Sequence, residues 1–314
     1  MINRIKREVV MGVKTVYMFP GQGSQSVGMR ARLGAMTEEQ SELFSEADRL
    51  LGFSLTRLID EGPEEDLTRT SNAQPALLVM GIAFAHALDA RGEKADIVMG
   101  HSLGEYAALT HGGVIDFSDA LRIVRRRGEL MEKAVKDAPG KMAAVIGADP
   151  EKLRALIDVC AGGGVLETAN FNSPSQVVLS GETAAVDRAI EAVNRDGIGR
   201  AVELNVAGPF HSSLMRPAAE EFDRFLQDFN FSPPGPGFID NVTGIMERDP
   251  SRIKEKLVLQ LSNPVQWERS VLTARDAGAE IFIESGPGTV LAGLVKRIAR
   301  DRKTVSGEKI LNPA

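Results

Sequence analysis

The stretch IVMGHSLGEYAALT, residues 97–110, constrains this chain more than any other. Ile97 to Gly100 form a candidate buried strand that runs through His101, Ser102, Leu103 and Gly104 directly into a helix-forming segment. A strand that turns at once into a helix is the repeating unit of a parallel sheet with helical crossovers. A serine at the apex of such a turn projects its hydroxyl off the backbone, beside the free N–H groups of the helix start. Glycines two before and two after let the chain close. The spacing Gly100-x-Ser102-x-Gly104 is that of a nucleophile, but five-residue patterns also arise by chance in a chain with 31 glycines, so the context has to decide.

The context is an alternation of strands and helices from Thr15 to Gly140. TVYMF (15–19) is a short β-rich run ending at Pro20 and the loop GQGSQ. Pro75 is placed to start a helix that stops at Gly92, and a further helix runs from about Ser118 to Lys136. Between Met142 and Asn205 the rhythm becomes β-α-β-β-α-β, the ferredoxin-like order. After Gly208 the alternation resumes with a helix from about Ser212 to Phe229, a turn at SPPGPG, the strand FIDNV, a helix near 252–262, and IFIESGPG leading into a last helix to Arg300. The expected fold is therefore α/β: a large α/β-hydrolase-like subdomain with a parallel sheet (12–138 and 208–314), interrupted by a small ferredoxin-like subdomain (139–207). Residues 1–11 read as a disordered lead or an upstream start before Met11, and the tail from Asp301 as loose.

Composition narrows the function. A net charge of −6 and a pI near 5.5 argue against a nucleic-acid binder, which needs a clustered basic excess. The single Cys160 excludes an internal disulfide, and four histidines without a Cys pair offer no metal-ligand spacing. The most apolar stretch, Ala76 to Leu88, is too short to span a bilayer. MINRIKREVVMG has no apolar run long enough for a signal peptide. These features point to a cytoplasmic protein without membrane insertion.

A nucleophilic serine needs a base. His86 lies in the apolar helix QPALLVMGIAFAHALDA, where a satisfied core histidine is expected; His101 adjoins Ser102 but points away from it on such a turn; His111 ends the elbow helix, where the macrodipole favours it. His211, in AGPFHSSLM, lies at an element boundary where the large subdomain resumes, and its imidazole could take the hydroxyl proton. A capping or surface histidine is the alternative. No carboxylate stands out to orient that imidazole, which leaves a backbone carbonyl open. On a wheel of about 100° per residue, Arg127 falls in the middle of the apolar arc of residues 120–135. A buried guanidinium requires an anion, supplied either by one of the chain's own carboxylates or by a substrate. The loop Gly21–Gln25 lacks the spacing and lysine of a phosphate cradle. It is either a plain tight turn or the source of a second oxyanion donor beside the Leu103 N–H.

Taken together, FPGQGSQ (19–25), GHSLGEY (100–106), RRGELM (126–131), ANFNSPSQVVLSG (169–181), GPFHSSLM (208–215), QLSNPVQW (260–267) and ESGPGTVL (284–291) resemble the malonyl-CoA:acyl carrier protein transacylases of fatty-acid synthesis. The match is ordered from about Val16 to Arg300. It implies Ser102 as the acylated nucleophile, His211 as its base, and Arg127 as the clamp on the malonate carboxylate. It further implies the N–H groups of Gln22 and Leu103 as oxyanion hole and the Gln260 carbonyl as the group that orients His211. Met131, Asn170 and Asn172 resemble positions near the substrate, and Phe210 is similar to that of malonyl-selective members. The implied partners are malonyl-CoA and an acyl carrier protein, met by a monomer. Apart from the CoA thioester and the carrier's phosphopantetheine no cofactor or metal is implied. A trans-acting polyketide-type acyltransferase and a serine hydrolase or thioesterase are the alternatives. Lys296, Arg297 and Arg300 are candidates for carrier docking.

Overall fold

Residues 14–313 are described by a computed structural model; the expectations for residues 1–11 and Met11 fall outside them. Strands are numbered along the chain through two sheets. The first holds β1 (Lys14–Phe19), β2 (Ile97–Gly100), β7 (Gly237–Ile239), β8 (Met246–Glu247), β9 (Ala279–Glu284) and β10 (Lys303–Ser306), in the spatial order β10-β9-β1-β2-β7-β8. All its pairings are parallel except β7 with β8. The second holds β3 (Gly140–Ile146), β4 (Leu166–Ser173), β5 (Gln176–Glu182) and β6 (Arg200–Glu203), in the order β4-β5-β3-β6 and antiparallel throughout. That order and connectivity are ferredoxin-like. The expected α/β class, with a parallel sheet and a second ferredoxin-like sheet, is what the chain forms.

Why β1 and β2 are so apolar follows from their place at the centre. A parallel sheet is covered on both faces, so alternate residues of one strand serve two different cores. Tyr17, Phe19 and Val98 pack on one side, where α1 (Glu38–Leu51), α2 (Leu55–Glu61), α3 (Glu64–Thr68), α4 (Thr70–Ala90), α5 (Gly104–His111) and α6 (Phe117–Asp137) contribute. Val16, Met18, Ile97 and Met99 pack on the other, against Trp267, Val271, Leu291 and Leu294. The small sheet has its own core, in which Ala143, Val145 and Leu179 meet α7 (Pro150–Ala161) and α8 (Thr183–Arg195). Met142, Ala144 and Val178 point the other way and join the large core. The chain then adds α9 (Arg216–Leu226), α10 (Pro250–Gln260), α11 (Trp267–Asp276), α12 (Val290–Ile298) and α13 (Gly307–Leu311).

Three sequence expectations need correction. The helix α4 begins at Thr70 and carries Pro75 in its interior. Proline has no N–H for the carbonyl four residues back; here that carbonyl, Ser71, accepts from Arg125 Nη1 at 3.1 Å instead. The strand FIDNV shrinks to Gly237–Ile239, because Asp240 and Asn241 leave the ladder and commit their side chains elsewhere. The tail from Asp301 is not loose: Lys303–Ser306 pairs in parallel with Ile281–Glu284, and α13 buries Leu311 and ties Glu308 to Arg32 at 3.0 Å. A strand added to an exposed edge needs little pattern of its own, so KTVS carried no recognisable signal. Among the described residues α4 is the one helix long and apolar enough to cross a membrane, and 78% of its apolar window is buried in the protein core.

Candidate active site

The turn after β2 brings Ser102 to a φ of 51°, a left-handed conformation that side chains rarely adopt. The two flanking glycines are required by proximity. A Cβ on Gly104 would lie 1.9 Å from the Phe19 carbonyl oxygen, and one on Gly100 would lie 2.0 Å from the Gly104 carbonyl group. Both backbone groups of Ser102 are held from outside the turn: its N–H donates to Asn241 Oδ1 at 2.7 Å, and its carbonyl accepts from Gln260 Nε2 at 3.0 Å. The hydroxyl is thus fixed at the C-terminal end of a central strand, where parallel sheets place ligands.

His211 also has a left-handed φ, 59°, in the segment before α9. Its Nε2 lies 2.7 Å from Ser102 Oγ, and its Nδ1 lies 2.7 Å from the Gln260 carbonyl oxygen. A carbonyl can only accept, so Nδ1 carries the proton and Nε2 turns its lone pair to the hydroxyl. Burial, reinforced by the charge of Arg127, pushes the imidazole pKa down to about 3, which keeps it neutral near pH 7. The other histidines lie elsewhere. His111 stacks on Tyr17, His86 faces Glu39, and His101 turns away from Ser102 to pair its Nε2 with Asn172 Oδ1 at 2.9 Å.

Arg127 is 1% exposed, as its place in the apolar arc of α6 requires. Its Nη2 donates to Gln260 Oε1 at 2.8 Å and to Ser102 Oγ at 3.2 Å, and the guanidinium lies over the Tyr106 ring. Among the described residues no carboxylate forms an ion pair with it, and its buried Nε has no hydrogen-bond partner. Burial pulls its pKa down, against the opposing pull of Tyr106 and Glu105. The internal ion pair left open by the sequence is not formed.

These groups open into a cleft of about 280 Å³ between the two sheets. Gln22, Leu103, Met131, Asn170, Asn172 and Phe210 all line it, together with Ser102, Arg127 and His211; Gln260 stands behind them. Among the described residues neither the Gln22 nor the Leu103 N–H finds a backbone acceptor, and both residues line the cleft. Strand β4 of the small sheet is stitched to the segment between α10 and α11 beside the site: Phe171 N–H donates to the Val265 carbonyl and Val265 N–H to the Ala169 carbonyl, each at 2.9 Å. This holds Asn170 and Asn172 in the wall of the cleft that Ser102 also lines. His101 turns away from Ser102 as the sequence predicts, whereas sequence reasoning missed Glu105 and Asn241. Glu105 carried a signal, a carboxylate three residues after the serine on a helix whose neighbours are apolar; Asn241 carried none.

A hydroxyl paired with a neutral imidazole, two free N–H donors and an unpaired guanidinium suit acyl transfer from an anionic acyl group. The acyl transferase domain family matches residues 16–312. The malonyl CoA-acyl carrier protein transacylase of Bacillus subtilis (strain 168) is 43% identical over 294 residues, 93% of each chain. That of Escherichia coli (strain K12) is 44% identical over 283 residues, 90% of this chain and 92% of its own. Among solved structures, the malonyl CoA-acyl carrier protein transacylase of Coxiella burnetii superposes with a TM-score of 0.92 at 36% identity, over 96% of both chains. A malonyl-transacylase in complex with a type II PKS acyl-carrier protein superposes at 0.90 with 40% identity, over 93% of this chain and 95% of its own. The chain belongs to the acyl transferase domain family, among the malonyl CoA-acyl carrier protein transacylases.

Proposed function

We propose that this protein moves the malonyl group from malonyl-CoA to the phosphopantetheine thiol of an acyl carrier protein, in fatty-acid biosynthesis, through a malonyl-serine intermediate. The observation that carries this reading is the buried Arg127 guanidinium, 3.2 Å from Ser102 Oγ and without an ion-pair partner among the described residues. Ser102 Oγ attacks the thioester carbonyl while His211 Nε2 takes its proton. The tetrahedral oxyanion is held by the Gln22 and Leu103 N–H groups, and the Gln260 carbonyl keeps the imidazole, and later the imidazolium, in register. CoA leaves as the thiol with the proton from His211. The carrier's thiol then gives its proton to His211, attacks the ester, and restores Ser102. The reading needs no metal or redox cofactor, since the chain's own groups supply base, donors and clamp. All of them come from one chain, which supports a monomer, and the acidic composition with one buried Cys160 suits the cytoplasm. We assign the catalytic subdomain to 12–138 and 208–314 and the small subdomain to 139–207.

Malonyl-CoA without a thiol acceptor is expected to leave one malonyl group on the protein, on the peptide that contains Ser102. Hydrolysis of malonyl-CoA as fast as transfer would instead make the protein a thioesterase. Likeness to the transacylase solved with a type II PKS carrier supports a second reading, a polyketide-type carrier, decided by comparing kcat/KM for the two carrier classes. Lys296 and Arg297 are exposed on α12, the helix whose first turn, Val290 and Leu291, lines the cleft, and Arg300 follows them. Reversing these three charges should raise the KM for the carrier and leave that for malonyl-CoA unchanged. Unchanged carrier kinetics would place docking elsewhere.

Arg127→Ala separates a malonyl enzyme from a general acyltransferase. Losing a charge-assisted partner in a desolvated site costs on the order of 2–5 kcal/mol, so malonyl transfer should fall by roughly two to three orders of magnitude. Acetyl-CoA brings no carboxylate, and its transfer should hold or improve. An equal loss with both donors would defeat the assignment.

A further inference from the structure

Glu105 is a carboxylate with 1% exposure that no step of the proposed transfer uses. What it faces can be decided from two neighbouring amides. Asn241 Oδ1 takes the Ser102 N–H at 2.7 Å while its Nδ2 donates to the Gly100 carbonyl at 2.6 Å, so a flipped amide would set donor against donor and acceptor against acceptor. Gln260 is fixed in the same way: Oε1 takes Arg127 Nη2 at 2.8 Å and Nε2 donates to the Ser102 carbonyl at 3.0 Å. With both orientations settled, the carboxylate meets donors on each oxygen, the Asn241 backbone N–H at 2.9 Å on Oε1 and Gln260 Nε2 on Oε2.

Glu105 is therefore the common anchor of the two residues that hold the N–H and the carbonyl of the strained Ser102, and one of these also holds Arg127. We propose that Glu105 is a positioning residue whose ionised carboxylate, acting through Asn241 and Gln260, keeps the nucleophile turn and the Arg127 guanidinium in register. The inference rests on the proposed transfer reaction and adds a group to it. A neutral carboxyl would turn one oxygen into a hydroxyl, a weaker acceptor whose own hydrogen has to be accommodated beside an N–H donor, so one of the two arms would be loosened.

The charged and titratable groups around it are Arg127 from α6, Asp240 after β7, which is paired with Lys256 of α10 at 2.9 Å, and Tyr106 beside it in α5. Burial, with Asp240 adding to it, pushes the Glu105 carboxyl up to about 8, against the pull of the two N–H donors and Arg127. The working form is the deprotonated one, which is present above that pKa and lost as pH falls through it. His211, displaced to about 3, cannot produce a change in that range.

The test is single-turnover acylation by malonyl-CoA, quenched and read by intact mass between about pH 5.5 and 9.5, for wild type, Glu105→Gln and Glu105→Asp. Wild type should show a rate that rises through about pH 8. Glu105→Gln should be slower at high pH by roughly 10- to 100-fold, with no rise, and Glu105→Asp should recover part of the rate and a rise with a moved midpoint. A Gln variant with wild-type rate and the same rise overturns the inference, as does a variant that only melts earlier while its rate per folded site is unchanged. If Glu105→Gln does not fold, wild type and Glu105→Asp decide: no rise, or a rise with an identical midpoint in both, overturns it. Wild type that takes up no malonyl group at any pH would sink the transfer reaction itself, whereas uptake without a pH dependence sinks only the role of Glu105.

Discussion

Ser102→Ala is expected to abolish the malonyl adduct and to lower transfer by on the order of 10⁴-fold or more, because the residues that act as a unit around a nucleophile contribute little without it. The neighbouring candidates for a substitute are already committed. Ser24 Oγ donates to the Gly21 carbonyl at 2.7 Å and Ser212 Oγ to the Pro209 carbonyl at 2.6 Å. Cys160 is packed in the core of the small sheet, and burial raises its pKa, which keeps it a thiol. The variant keeps Asn241 and Gln260 on the backbone of residue 102, so the turn should survive. Intact-mass analysis after mixing with malonyl-CoA decides, and a full adduct on the alanine variant would remove Ser102 from the mechanism.

How far this site is legible in the sequence depends on whether its signal lies in a side chain and its local period. The nucleophile turn was legible because Gly100 and Gly104 are demanded by contacts within a few residues. Arg127 was legible because a cation in the apolar arc of a helix violates a pattern that the rest of α6 obeys. The Gln260 carbonyl was not, since any residue supplies a carbonyl and only the path of the chain after α10 aims this one at His211; resemblance alone pointed to it. Asn241 is hidden for the same reason, its role being set by where β7 ends. Of the fold, the buried central strands and the β-α-β-β-α-β order followed from periodicity. The three helices between Glu38 and Thr68 were passed over, although Thr37 and Gln40 form a capping box that marks the first of them. Start and stop signals lie at the ends of elements, and β10 and α13 show that docking on an existing edge can override a weak local pattern.

His211→Ala is expected to cut the rate of Ser102 acylation by roughly 10³-fold, within the range that a positioned general base contributes, while the fold is kept. The imidazole reaches Ser102 from a segment pinned by backbone groups, including its own N–H to the Leu261 carbonyl at 3.2 Å, which alanine retains. The pH dependence has a definite sign. The neutral imidazole is the active form, and it is lost only as pH falls through about 3, so His211 should impose no loss between neutrality and pH 5. Glu105→Gln, which removes the other titrating group of the site, should therefore be flat over that range. Arg127 is one cause of the depressed value, so Arg127→Ala should move the acid limb of His211 upward. The comparison is best made with acetyl-CoA, which needs no clamp, as single-turnover rates from about pH 4 upward on Glu105→Gln with and without Arg127→Ala. An acid limb that appears or moves up with the second substitution places the guanidinium charge next to the base. Wild-type turnover in His211→Ala would mean that some other group takes the serine proton, and an unmoved limb would mean that burial alone keeps the imidazole neutral.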